Sequence, residues 1–214
     1  MTEIIDKLLG ISESFHAPAR LMGILLDGKA KRERLFLDFI SAFEYKMGHD
    51  WFHEYFQDEH ADRRKKRQDF TPASIGNALS EILSGSGVVY EPAAGTGGVV
   101  INHWQRTRAK CHPFDFRPSD CLYVCEELSE RAFPFLVFNM AIRGMNCVAV
   151  HCNALTRESW GAFFIQNDNN SLTAFSSINT FPYTARTEKL LNVSFEEEKY
   201  LRILESPERA AVRR

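Results

Sequence analysis

The residues best equipped for chemistry stand in one run, Val88-Val89-Tyr90-Glu91-Pro92-Ala93-Ala94-Gly95-Thr96-Gly97-Gly98. A short apolar strand ends in an acid, and a glycine-rich turn follows and opens a helix at Val99-Val100-Ile101. Ligands of α/β sheets bind beyond the carboxyl ends of such strands, so the run reads as a nucleotide-type site. The residue types narrow the nucleotide. A dinucleotide fingerprint requires a third glycine where Val100 stands, and a P-loop requires a Lys-Ser/Thr pair that does not follow. An acid before the glycines and no lysine beside them suit a cofactor without phosphates. S-adenosylmethionine is such a cofactor: its sulfonium and ammonium are positive, and its carboxylate can rest on a helix N-terminus.

The elements around this run must position it. Upstream, Gln68-Asp69-Phe70-Thr71-Pro72 leads into Ile75, Leu79, Ile82 and Leu83. Thr71 reads as an N-cap and Pro72 as the first helical residue, with the apolar positions at helical spacing. Downstream, Tyr123-Val124-Cys125-Glu126-Glu127-Leu128-Ser129 is a second short strand ending in acids. A helix through Phe135, Leu136, Phe138, Asn139 and Ile142 reaches Gly144, and a third strand from Cys147 to His151 ends at Cys152-Asn153-Ala154-Leu155. Alternation of strands and helices predicts an α/β domain with at least three parallel strands.

The order of Phe70-Thr71-Pro72 and Glu91 to Gly98 resembles the adenine-specific DNA methyltransferases of type I restriction-modification systems, their modification subunits. The resemblance covers about residues 66 to 156. It implies a Rossmann-like S-adenosylmethionine-dependent methyltransferase fold and contacts to that cofactor from Phe70, Thr71, Glu91, Pro92, Ala93, Gly95, Thr96 and Gly97. It implies a ribose-binding acid at the second strand end, where Glu127, followed by Leu128-Ser129, fits better than Glu126. It implies that Asn153 addresses the adenine amine of the cofactor. The family's catalytic Asn-Pro-Pro-Tyr/Phe tetrapeptide is missing, and the nearest remnant is Ile178-Asn179-Thr180-Phe181-Pro182-Tyr183, which makes Asn179 and Tyr183 the catalytic candidates. Only 31 residues follow Tyr183, fewer than the remaining strands and a recognition region require. The chain is therefore expected to be an incomplete version of this fold.

Composition sets the outer limits. A net charge of −2 excludes a global nucleic-acid footprint, so DNA contact must rest on a local patch. Arg63-Arg64-Lys65-Lys66-Arg67 is the one such patch, and a solvated linker explains it as well. Five cysteines, an odd number without a Cys-x-x-Cys pair, exclude a disulfide framework and a zinc ribbon, and no metal site is expected. A reducing cytoplasmic setting follows, with no secretory pattern at the N-terminus and no membrane span.

Three regions are expected: helical residues 1–62, a cofactor-binding core at 63–156, and a variable segment at 157–214 with a short helix. Within the first, helices are read near Ile4 to Leu9, at Ala17 to Leu26 and from Lys31 to Met47. Trp51, Phe52, Tyr55 and Phe56 form a short aromatic turn or helix, a surface that packs on the α/β domain. A last helix is read from Phe195 to Leu204. Three functions fit: an active adenine methyltransferase on DNA, a degenerate cofactor-binding subunit, regulator or decoy, or a helical interaction module with a relic α/β domain. The second and third imply a partner subunit or a homo-oligomer.

Overall fold

The computed structural model describes residues 1–59, 87–112 and 115–206. Phe70, Thr71, the helix read after them and the basic run Arg63 to Arg67 lie outside the described residues.

Four helices open the chain: α1 (Thr2–Leu9), α2 (Ala17–Leu26), α3 (Lys29–Ala42) and α4 (Phe52–Glu59). Gly10 stops α1 in the left-handed region at φ 66°. Pro18 sits in the first turn of α2, where a missing N–H costs little. The helix expected to run to Met47 ends at Ala42 instead, because Glu44 and Tyr45 adopt φ of 52° and 60°. That reversal leaves Phe43 stacked on Trp51 with ring centroids 5.2 Å apart.

The second part alternates strand and helix: β1 (Gly87–Glu91), α5 (Gly98–Lys110), β2 (Cys121–Glu127), α6 (Phe133–Ile142) and β3 (Cys147–Cys152). The three strands are parallel, with Val89 beside Tyr123 and Tyr123 beside Cys147. The direction then changes. β4 (Glu158–Gln166) runs antiparallel to β3, and β5 (Ser177–Thr180) antiparallel to β4. After α7 (Ala185–Leu191), the two-residue β6 (Ser194–Phe195) pairs parallel with the start of β4. The result is a mixed α/β fold around one central sheet, with strand order β1-β2-β3-β4-β5.

The helix expected from Phe195 to Leu204 does not form. The tail lies along β5 instead: Thr180 N donates to the Ile203 carbonyl at 2.8 Å, and Ile203 N donates to Thr180 Oγ1 at 3.1 Å. β5 is an edge strand among the described residues, and its backbone groups need partners that the tail supplies.

Burial explains how the two parts hold together. All ten residues of α6 are buried, as a helix apolar on every side requires. Phe138 of α6 meets Phe36, Phe39 and Phe52 at centroid distances of 5.0, 4.8 and 5.2 Å, and Phe135 meets Phe52 at 4.5 Å. The aromatic stripe of the helical part is thus the surface that packs on the α/β part. On the opposite side of the sheet, α7 covers Val150 and Ala162, while Val88 and Tyr90 of β1 stay exposed. No helix among the described residues is long and apolar enough to cross a membrane.

Phe138 touches three rings of the helical part from the centre of the core. Phe138→Ala is expected to cost about 3–5 kcal/mol, the usual range for a fully buried phenylalanine. Chemical denaturation checks this; a loss under 1 kcal/mol would show that the ring cluster does not couple the two parts.

Candidate functional site

The turn after β1 depends on two glycines in the left-handed region, Gly95 at φ 58° and Gly97 at φ 100°. Residues bearing a β-carbon avoid these angles. A β-carbon on Gly97 would also stand 2.9 Å from Met140 Cε and 3.2 Å from Leu136 Cδ1. Gly97 therefore lets the turn lie flat on α6. Backbone bonds pin the turn at both ends: Ala94 N donates to the Glu126 carbonyl at 2.9 Å, and Gly97 N to the Ala94 carbonyl at 2.8 Å.

The carboxyl ends of the parallel strands bring the acids to this turn. Glu91 Oε1 accepts from Ala93 N at 3.2 Å, across Pro92. Glu127 reaches further: Oε2 accepts from Gly95 N at 2.6 Å and Oε1 from Ser129 N at 2.7 Å. Its neighbour Glu126 points to the other face of the sheet. There Arg157 holds it by two bonds of 2.7 and 2.9 Å, at the edge of a cavity of about 430 Å³ lined by Tyr90, Val124 and Val148. The alternation of side chains along a strand separates the two acids. Burial raises the Glu127 carboxyl above its ordinary 4.5, against the backbone donors of Ser129, Gly95 and Leu128, which lower it. Beside it in register, His151 is pushed down to about 4 by burial, so it is neutral at neutral pH. Its Nδ1 shares a 2.8 Å hydrogen bond with the Tyr200 hydroxyl.

Asn153 stands at the end of β3, one strand beyond Glu127. Its Oδ1 accepts from Leu155 N at 3.0 Å and from Thr156 N at 3.3 Å, shaping the hairpin turn into β4. Thr96, 1% exposed, turns its hydroxyl inward and donates to Asp50 Oδ2 at 2.5 Å.

Asn179 and Tyr183 are placed elsewhere. Asn179 lies on β5, with β2, β3 and β4 between it and β1. Its Oδ1 accepts from Glu205 N and Ser206 N at 2.8 and 2.9 Å, and its Nδ2 donates to the Phe164 carbonyl and to Ser206 Oγ. The Tyr183 hydroxyl donates to the Trp160 carbonyl at 3.1 Å and accepts from Tyr200 N at 2.9 Å. Both side chains tie the carboxyl-terminal tail to the sheet, and neither comes to the glycine turn.

Three residues meet beneath the turn: Asp50 and Arg143, which escaped the reading of the sequence, and Asn139, which was read there only as part of its helix. Asn139 Nδ2 donates to Asp50 Oδ1 at 2.9 Å and to the Thr96 carbonyl at 2.7 Å. Arg143 donates to Asn139 Oδ1 at 2.7 Å and to the carbonyls of Met47 and His49 at 2.7 and 2.6 Å. Burial pulls its guanidinium down to about 10, and the Asp50 carboxylate opposes that. An acid directly before an apolar run, Asp50 before Trp51-Phe52, was a helix-start signal; Asp50 Oδ1 accepts from Phe52 N at 3.1 Å. Nothing in the sequence marked Arg143. Among the described residues no group of three His, Cys, Asp or Glu side chains could hold a metal ion.

A protein-family model described as N-6 DNA Methylase matches residues 47–187 of the chain. No curated protein and no solved structure matches it.

Asn179 satisfies two backbone N–H groups of the tail, so Asn179→Ala leaves both without their acceptor. It should lower stability by about 1–3 kcal/mol. Thermal unfolding with limited proteolysis of the tail checks this; an unchanged midpoint with an intact tail would contradict the structural role.

Proposed function

The chain belongs to the N-6 DNA methylase family, and from that premise we propose that it binds S-adenosylmethionine at the turn after β1. The observation that carries this reading is Glu127, brought by β2 to within 2.6 Å of Gly95 N. Its oxygens accept the N–H groups of Gly95 and Ser129 and keep lone-pair capacity for hydroxyls, as a ribose diol requires. Glu91, Pro92, Ala93 and Gly95 would line the cofactor, with Gly97 seating the turn on α6 and Asn153 at the adenine end. Phe70 and Thr71 complete the set by the motif they share with the type I modification subunits. S-adenosylmethionine, when bound, supplies an electrophilic methyl group. The chain's own part is to orient it and to hold its ribose on a partly desolvated carboxylate.

The substrate we propose is the exocyclic amine of adenine in DNA, within a restriction-modification setting. Arg63, Arg64, Lys65, Lys66 and Arg67 would meet the phosphate backbone. Five free cysteines, four of them buried, suit a reducing cytoplasm. A second reading has its own support: Asn179 and Tyr183, the candidates for holding and stacking the target base, are engaged with the tail. Positional errors of about 1 Å cost on the order of a hundredfold in rate. We therefore propose a chain that binds the cofactor and, alone, transfers methyl groups to DNA very slowly or not at all. A partner subunit would complete the reaction.

Two measurements test this. Titration calorimetry should give micromolar binding of S-adenosylmethionine, about −8 kcal/mol; no binding at millimolar ligand would sink the cofactor reading. Transfer of labelled methyl from the cofactor to unmethylated DNA should be near background. Robust transfer lost in Asn179→Ala or Tyr183→Ala would restore the plain enzyme.

The pH dependence has a definite sign. Hydroxyl donors and a cationic ligand favour ionised Glu127, so binding lowers a carboxyl pKa that burial raises in the free protein. Affinity should be full above that raised value and fall as pH drops through it. Glu127→Gln should bind at least tenfold more weakly and flatten the profile. An unchanged profile would place the ribose elsewhere.

A further inference from the structure

Asp50 is 7% exposed and belongs to the helical part, 46 residues before Thr96. Its carboxylate nevertheless sits under the glycine turn. One oxygen takes the Thr96 hydroxyl at 2.5 Å; the other takes Asn139 Nδ2 at 2.9 Å and Phe52 N at 3.1 Å. Asn139 passes the restraint on, since the same Nδ2 also donates to the Thr96 carbonyl. Thr96 is thus held at both its side chain and its backbone, between left-handed Gly95 and left-handed Gly97. Two glycines so close leave a turn with many alternative conformations, and a fixed residue between them removes most of that freedom.

The segment bearing Asp50 is itself braced. Arg143 donates to the carbonyls of Met47 and His49, and its guanidinium lies 4.9 Å from the Trp51 ring centroid. Asn139 lies in the last turns of α6 and Arg143, four residues on, is its C-cap, so the core helix and its end present both.

We infer that Asp50 is a positioning residue for the cofactor: through the Thr96 hydroxyl it holds the Gly95–Gly97 turn in the binding conformation, making the affinity of the α/β part depend on the helical part. Thr96 then serves the cofactor without touching it. The inference rests on the proposed site at this turn. It adds a determinant of affinity from outside the strand-end residues.

The test is titration of S-adenosylmethionine into the full chain. Wild type must bind first; its failure would overturn the cofactor site and not this tether alone. Thr96→Val keeps the shape and removes the donor to Asp50, and should weaken binding about tenfold or more. Thr96→Ser keeps the hydroxyl and should bind within about twofold of wild type. Asp50→Ala should weaken binding similarly, and Asp50→Ala/Thr96→Val should be no weaker than the worse single variant, because both cut one link. Wild-type affinity in Thr96→Val, failure of Thr96→Ser to rescue, or additive losses in the double variant would each overturn the inference. If Asp50→Ala does not fold, the Thr96 pair decides.

Discussion

A buried carboxylate under a glycine turn is the constraint from which the rest of this structure follows. Asp50 is withdrawn from water, and an unpaired charge there would be prohibitively costly. It is tolerated because it accepts from Thr96, Asn139 and Phe52 with Arg143 close by. Each partner sits on a different element: the turn, α6 and α4. Satisfying one charge therefore fixes the relation of three elements, and the aromatic contacts between Phe52, Phe135 and Phe138 close over it. A polar network of this kind adds specificity of arrangement where aromatic packing alone would tolerate slippage.

The turn so fixed stands where the parallel strands end. Glu127 arrives there because β2 is in register with β1 and long enough to carry its last residue beyond Glu91. The change of strand direction after β3 has the opposite effect on Asn179 and Tyr183. A tight hairpin through Asn153 sends the chain into antiparallel β4, then to β5, away from the turn. The separation of the glycine turn from the motif remnant is therefore topological, set by a five-residue loop.

Much of this was written locally and could be read. α2 occupies Ala17 to Leu26 as its apolar spacing and proline predict, and β1, β2 and β3 fall where short apolar runs meet acids or turns. The helix read to Met47 stopped early because its stripe continues as packing through a left-handed reversal, which periodicity cannot distinguish from helix. Residues 195–204 have helical composition, yet a neighbouring strand edge offered backbone partners that outweighed weak propensity. At the glycine turn, Glu91, Gly95 and Glu127 were visible because strand-end acids and glycines carry a local signature. Asp50 and Arg143 were not, since their partners lie 46 and up to 96 residues away. Phe70 and Thr71 lie outside the described residues, so their part in the site stays with the sequence motif.

The most direct measurement of the central claim is a hydrogen-exchange footprint of the full chain with and without saturating S-adenosylmethionine. The account predicts slowed exchange at the backbone amides of residues 91, 93–98 and 127–129, the two strand ends joined by Glu127 and Gly95. Protection confined to the tail and β4–β5, or no protection at either strand end, would contradict it.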